Sequence, residues 1–323
     1  MPCCATQEFN LESNYQKRVL FVGMPDMALA CLSKLVSDGF NIVGVVPPHH
    51  SDQTFGLMCN LARSLKLPVI TYEKSLDEFD FIRQIRQLNV DIAVVSSYNK
   101  KFPPEFLKSV KGGFVNCHPS LLPDYRGGNP YSNVLINDEK MTGITLHFMD
   151  ENFDTGNIIA QKKVAIEKNE TMGTLFNRMN YLCAEFLSEF LKQYELNSDI
   201  SSVPQPEGEF KKAPSISSTN MKNFIDWSQD AVYIERFIRA LNPFISAMTN
   251  FRGVFVKIYS ADYYEKRPKY PPGTICSVKD TIGVATGNGI LYIKTLQFGS
   301  YMISDAKSFI QKFKPQVGET FGR

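Results

Sequence analysis

Asp91-Ile92-Ala93-Val94-Val95-Ser96-Ser97 is the stretch on which the fold turns. From Ile92 to Val95 it is apolar at every position, so neither face of a strand built from it would tolerate water. A strand of that kind belongs at the centre of a parallel sheet covered by helices on both sides. The flanking chain repeats the pattern. Arg18-Val19-Leu20-Phe21-Val22-Gly23 is a compact apolar strand ending on glycine, and Met27 to Ser37 follows as a helix with Leu29, Leu32 and Leu35 recurring on one side. Asn41 to Val46 reads as the next strand, Phe55 to Leu65 as a helix, Leu67 to Ile70 as a short strand and Leu76 to Leu88 as a further helix. Gly113-Phe114-Val115-Asn116-Cys117 is another strand. This alternation predicts an α/β fold, a doubly wound parallel sheet.

The second half changes character. Residues 198–222 are rich in Ser, Pro and charge and read as an interdomain linker. Beyond it, Ser228 to Leu241 is expected to be a helix, capped by Ser228, with Ala231, Ile234, Ile238 and Leu241 as its buried stripe. Strand-like runs near 254–260, 282–286 and 290–296 follow without helices between them, as in a small OB-like β-barrel. The expected organisation is a tail at 1–15, a first domain at 16–197, the linker, and a C-terminal barrel at 223–323.

Composition sets the outer limits. The 323 residues are 43% hydrophobic and 21% charged, the balance of a globular protein with room for two domains. No run of about 18 apolar residues suggests a membrane span, and the N-terminus lacks the basic start and apolar stretch of a secretory signal. Seven cysteines without a metal-like or paired spacing predict neither a zinc site nor a disulfide framework, and so a reducing, cytoplasmic setting. A net charge of +2 gives no general attraction to nucleic acid.

The chemistry concentrates between Asn116 and Gln161. Asn116 and His118 lie two apart at the end of a strand, so their side chains share a face. Ligands of open parallel sheets bind beyond the carboxyl ends of the strands, where polar residues are poor core filler. Asp154 is followed by Thr155-Gly156, a turn able to hold a carboxylate. An amide donor, an imidazole and a carboxylate suit acyl transfer: the first stabilises an oxyanion, the second handles a proton, and the third orients the ring and raises its pKa.

Asn116-Cys117-His118-Pro119-Ser120-Leu121-Leu122-Pro123-Asp124-Tyr125-Arg126-Gly127, with Asp154-Thr155-Gly156 downstream, resembles the catalytic signature of folate-dependent formyltransferases. Ile225-Asp226-Trp227, Ile238 to Pro243, Gly273-Thr274-Ile275 and Val284 to Gly289 resemble the second domain of the methionyl-tRNA formyltransferases. The resemblance implies a Rossmann-like catalytic domain and a metal-free enzyme that uses 10-formyltetrahydrofolate as formyl donor. It implies Asn116, His118 and Asp154 as the catalytic trio, with Asn116 and protonated His118 stabilising the oxyanion. It also places the pterin beside Val95, Ser96, Ser97 and Tyr98 and the loop containing Met149, Asp150 and Phe153, with Arg126 and Gly127 shaping the loop beside the site.

Other conspicuous residues read more plainly. His147 is expected to be structural, with an active-site neighbour as the alternative, and His49-His50 to lie in a solvated loop, with a substrate contact as the alternative. Gly23-Met24-Pro25-Asp26 lacks the glycine pattern of a dinucleotide site. Tyr263 to Tyr270 is expected to be a surface loop between barrel strands.

The acceptor is decided by charge. The tRNA enzymes carry a basic loop after the second strand, whereas here no lysine or arginine occurs from Leu35 through Ala62. Phosphate neutralisation dominates nucleic-acid affinity, so tRNA is disfavoured as a partner. Phe244-Ile245-Ser246 also stands where the resemblance implies Trp-Pro-Gly, and Asn129-Pro130-Tyr131 differs at a place expected to face the acceptor. The expected substrate is the primary amine of a small molecule, with a nucleotide-linked amino sugar leading. Methionyl-tRNA and a formyl-releasing hydrolysis are the alternatives.

Overall fold

The structure is a computed structural model, described here for residues 15–197, 200–216 and 222–322. The expected N-terminal tail therefore lies almost wholly outside the described residues, as do 198–199 and 217–221 of the expected linker. In chain order the elements begin with β1 (Arg18–Gly23), α1 (Met27–Ser37), β2 (Asn41–Val46), α2 (Phe55–Ser64), α3 (Phe79–Gln87), β3 (Ile92–Ser96), α4 (Pro104–Leu107) and β4 (Phe114–His118). They continue with α5 (Pro130–Ile136), β5 (Met141–Phe148), β6 (Ile158–Ala165), α6 (Met172–Asn197) and α7 (Ala231–Leu241). Then come β7 (Ala247–Phe251), β8 (Val254–Tyr264), β9 (Ile275–Val278), β10 (Ile282–Ala285), β11 (Ile290–Phe298), β12 (Ser304–Asp305), α8 (Ala306–Phe313) and β13 (Phe321–Gly322). Contacts divide the chain into two compact units. One comprises residues up to Arg126, Gly143–Val164 and Arg178–Lys211, the other Gly127–Thr142, Ala165–Asn177 and Lys212–Arg323.

The first unit is built on a sheet of order β2-β1-β3-β4-β5-β6. The first four strands are parallel and β5 enters antiparallel to β4. β3 is central and buried along its whole length, as its two apolar faces require. Phe102, Phe106 and Phe114 pack together under one face with Leu20, Val22 and Val95. Each such buried ring contributes on the order of 1.5–3 kcal/mol. The reversal of sheet order between β1 and β3 puts the carboxyl ends of β1, β3 and β4 side by side, with Gly23 beside Ser96 and Val95 beside Asn116. The stretch Leu67 to Ile70 makes only an isolated bridge from Val69 to Val45, because Pro68 cannot donate to a ladder.

The second unit centres on a curled antiparallel sheet, order β13-β7-β8-β11-β10-β9. Its two edges meet where Thr274 bridges Thr320 and where Phe321 N–H donates to Gly273 O at 2.8 Å, which gives the expected barrel closure. Trp227, Ile238, Leu291 and Phe309 lie in its core, and the Trp227 indole N–H donates to Thr249 Oγ1 at 3.0 Å. α7 begins at Ala231 behind Asp230, not at Ser228. The Ser228 hydroxyl is spent on the Asp226 carboxylate at 2.6 Å, in a turn that precedes the helix. Asn129 caps α5 by accepting from Ser132 N–H at 3.2 Å, and Pro130 and Tyr131 are buried behind it. The Asn-Pro-Tyr expected to face the acceptor is thus a helix start. β8 runs through Tyr264, so Tyr263 and Tyr264 belong to a strand end, not to a loop. Among the described residues no helix is long and apolar enough to cross a membrane.

Candidate active site

β4 places the site. Val115 and Cys117 are buried on one face, while Asn116 and His118 share the other by the alternation of a strand. β5 then runs back along β4 and sets His147 opposite Asn116 and Thr145 opposite His118. The loop that follows closes on itself. Phe148 N–H donates to Asn157 O at 2.9 Å and Met149 N–H to Phe114 O at 2.8 Å. The Asp150 carboxylate accepts from Asn152 N–H at 2.9 Å and from the Thr155 hydroxyl at 2.6 Å. Asp154 occupies the left-handed region at φ 59°, which a short polar side chain tolerates. Gly156 has no alternative: a Cβ there would lie 1.9 Å from Phe148 O.

The folded loop brings Asp154 to His118, with Oδ1 3.4 Å from Nδ1, both side chains largely withdrawn from solvent. On the other side of the ring, Nε2 donates to Tyr125 O at 3.1 Å, which assigns that nitrogen its proton and leaves Nδ1 as the proton acceptor. The loop bearing Tyr125 is anchored in turn. The Thr145 hydroxyl donates to Ser120 O at 2.7 Å and accepts from Leu122 N–H at 3.0 Å, and Gln161 Nε2 donates to Leu122 O at 2.8 Å.

Burial pulls the His118 pKa below the ordinary imidazole value; the Asp154 carboxylate opposes this, His147 adds to it and the Tyr125 carbonyl opposes it. The net direction is down. The expectation that Asp154 raises the pKa is correct for that one interaction, but desolvation of a ring on a central strand outweighs it. At neutral pH the resting ring is therefore neutral.

His147, expected to be structural or else an active-site neighbour, is part of the cluster. Its Nδ1–H donates to Phe148 O at 2.7 Å, so Nε2 accepts from Asn116 Nδ2 at 3.0 Å and stands 3.7 Å from Asp154 Oδ1. The signal in the sequence was a polar residue at the same parity as Thr145 in an otherwise apolar strand. Only the β4–β5 register shows that this parity faces Asn116.

The residues expected around the pterin divide. Val95 is buried beside Asn116, and Ser97 turns the chain at φ 54°, accepting from Met24 N–H at 3.1 Å. The Ser96 hydroxyl faces Cys31 Sγ at 3.7 Å, and Tyr98 OH meets Tyr72 OH at 2.8 Å, so these side-chain groups are engaged away from His118. Met149 packs against the apolar core, Asp150 braces its own loop, and Phe153 stays exposed with Lys101 Nζ 5.8 Å from its ring centroid. What remains along both segments is backbone and apolar surface. His49 has both ring nitrogens committed, to Ser51 Oγ and Glu73 O at 2.7 Å each, as a loop residue would. Among the described residues no group of His, Cys, Asp and Glu is arranged to hold a metal.

Known proteins resemble the chain in sequence and in fold. The chain is 36% identical over 287 residues to a methionyl-tRNA formyltransferase of Clostridioides difficile, covering 87% of this chain and 92% of that one. It is 31% identical over 313 residues to the methionyl-tRNA formyltransferase of Acetivibrio thermocellus, covering 95% and 100%. Among solved structures, an N-formyltransferase of Helicobacter canadensis in complex with folinic acid and dTDP-3-aminofucose superposes with a TM-score of 0.64 at 19% identity, covering 86% and 98%. HypX of Aquifex aeolicus in complex with tetrahydrofolic acid superposes with a TM-score of 0.59 at 19% identity, covering 94% of this chain but only 48% of that one. These two likenesses speak to the fold alone. The family model described as formyl transferase matches residues 17–191, and the one described as formyl transferase, C-terminal domain, matches 218–314. On these matches, which span both halves of the chain, the protein belongs to the formyl transferase family.

Proposed function

We propose that the protein is an N-formyltransferase that uses 10-formyltetrahydrofolate and delivers the formyl group to a primary amine of a small molecule. The observation that carries the reading is the convergence of Asn116, His118 and Asp154 at the end of β4 in a chain of this family. The folate supplies an activated formyl carbon; the residues supply the rest. Neutral His118 accepts at Nδ1 the proton that an amine nitrogen loses as it adds, Asp154 stabilises the imidazolium that results, and His118 then gives that proton to the donor nitrogen as its bond to the formyl carbon breaks. Asn116 gives one N–H of its amide to His147, which leaves the other to donate to a developing oxyanion. Backbone groups of 95–98 and 149–153, with Met149 and Phe153 as apolar surface, suit a flat ring bearing donors and acceptors.

The small-molecule acceptor rests on the β2-to-α2 connection. His49 is held by Ser51 Oγ and by Glu73 O, and the Asp52 carboxylate accepts from Thr54 N–H and Oγ1, so the connection itself carries an acid and no lysine or arginine. The connection therefore offers a phosphate backbone no lysine or arginine of its own. The second reading, methionyl-tRNA, is favoured by relatives of that name over both halves of the chain. Spectroscopic measurement of tetrahydrofolate release from 10-formyltetrahydrofolate separates the two. Nucleotide amino sugars are expected to support release, and turnover with charged initiator tRNA alone would overturn the acceptor assignment. Formate release without any amine would move the reading to hydrolysis.

A further inference from the structure

Residues 200–211, from the stretch expected to be linker, lie along the first unit and bond both loops that hold His118. Val203 exchanges backbone hydrogen bonds with Ile158 at 2.8 Å each. Tyr125 N–H donates to Lys211 O at 2.6 Å, and Lys211 N–H donates to Asp124 Oδ1 at 2.9 Å. Between these two anchors stands Gln205. Its Nε2 donates to Asp154 O at 2.9 Å and to Gly156 O at 2.8 Å, while its Oε1 accepts from Arg126 Nε at 3.1 Å and from the neighbouring Arg126 NH2 group. Both donors and both lone pairs of the amide are thereby used.

We infer that Gln205 is a positioning residue of the active site, pinning the backbone on either side of Thr155 so that the Asp154 carboxylate stays against His118. The chemistry it serves is the reaction proposed above; the clamp itself is read from geometry. Asp154 sits at positive φ in a short loop, and its carboxylate reaches His118 from a backbone that Gln205 holds at two carbonyls. Arg126 fixes the amide's direction: only with Oε1 toward the guanidinium do both N–H groups face the loop. The same segment holds Tyr125 by its peptide N–H, and Tyr125 O receives His118 Nε2–H. One segment therefore secures the partners of both imidazole nitrogens.

Gln205→Ala removes the clamp, and Gln205→Glu keeps its size and its acceptors for Arg126 while losing the donor. Both variants are expected to lower kcat about ten- to a hundredfold, the scale of a misplaced catalytic group. KM for the folate and the amine is expected to stay within about twofold. In an Asp154→Asn background, Gln205→Ala should add little, because it acts through that carboxylate. The titratable groups facing His118 are Asp154, which raises its pKa, and His147, which lowers it. With Asp154 loosened, the His118 ring resonances should titrate at lower pH in Gln205→Ala than in the wild type. Additive losses, a change confined to KM, or an unmoved His118 titration would each overturn the inference. If the wild type transfers formyl to no amine, the proposed reaction fails, yet the titration still decides the role of Gln205. If Gln205→Ala does not fold, Gln205→Glu carries the kinetic comparisons and Gln205→Met, neutral and of similar length, the titration.

Discussion

Gly156→Ala is a one-carbon perturbation placed where the loop has no room. The added Cβ would lie 1.9 Å from Phe148 O and 2.8 Å from Phe148 C, both backbone atoms at the end of β5. That end is held by Phe148 N–H on Asn157 O and Met149 N–H on Phe114 O, so the strand will not yield. Ordinary contact begins near 3.4 Å, so about 1.5 Å must be found within the loop that carries Asp154. Gly156 O is also one of the two carbonyls held by Gln205, so the shift strains the clamp as well. Displacing a catalytic group by about 1 Å costs on the order of a hundredfold in rate, or about 2.7 kcal/mol in the barrier. The stability cost is that of overpacking, about 1–3 kcal/mol. The assay is steady-state tetrahydrofolate release at saturating folate and amine, with urea unfolding in parallel. Gly56→Ala is the control, since a Cβ at Gly56 meets nothing within 4 Å. A Gly156→Ala variant that folds and turns over within about threefold of wild type would refute the argument that loop geometry sets the Asp154–His118 distance.

Two further outcomes follow from the same geometry. His118→Ala and Asp154→Ala should each lower turnover by about 10²–10⁴ while circular dichroism shows the fold retained, as expected for a proton-transfer pair. The depressed pKa of buried His118 also ties stability to pH: the unfolded chain takes up a proton near the ordinary value of 6.5 while the folded chain resists. The contribution of neutral His118 is present above that value and is lost as pH falls through the lower folded pKa. Between pH 8 and 5, wild type should therefore lose more unfolding free energy in urea than His118→Gln does.

The fold was legible where a single element decides its own state. α1 spans Met27–Ser37 as its leucine spacing indicates, and β3 is the buried central strand that its composition requires. Helix ends were less legible, because capping is a contest. Ser228 has the right side chain for a cap, but the Asp226 carboxylate binds it before the helix starts. β7, β9 and α8 carried no strong period of their own, and neighbours in a closed sheet supply what short segments lack.

The site divides along the same line. Asn116 and His118 could be read from strand parity, which is a local property of the chain. The resemblance added Asp154, whose place depends on a loop that only Gly156 permits. Gln205 could not be read locally, and strand position alone did not decide between the two readings of His147. His147 matters because β5 is antiparallel to β4 and in register with Asn116, and Gln205 because a polar, proline-rich segment returns to the loop 51 residues before it. The sequence by itself determined a parallel sheet with Asn116 and His118 on one face at its carboxyl edge, since hydrophobic periodicity and side-chain parity act within one element. The tertiary structure decided which nitrogen of His118 carries the proton, which way its pKa moves and what holds Asp154 in place. Burial, register and long-range hydrogen bonds exist only once distant segments have packed.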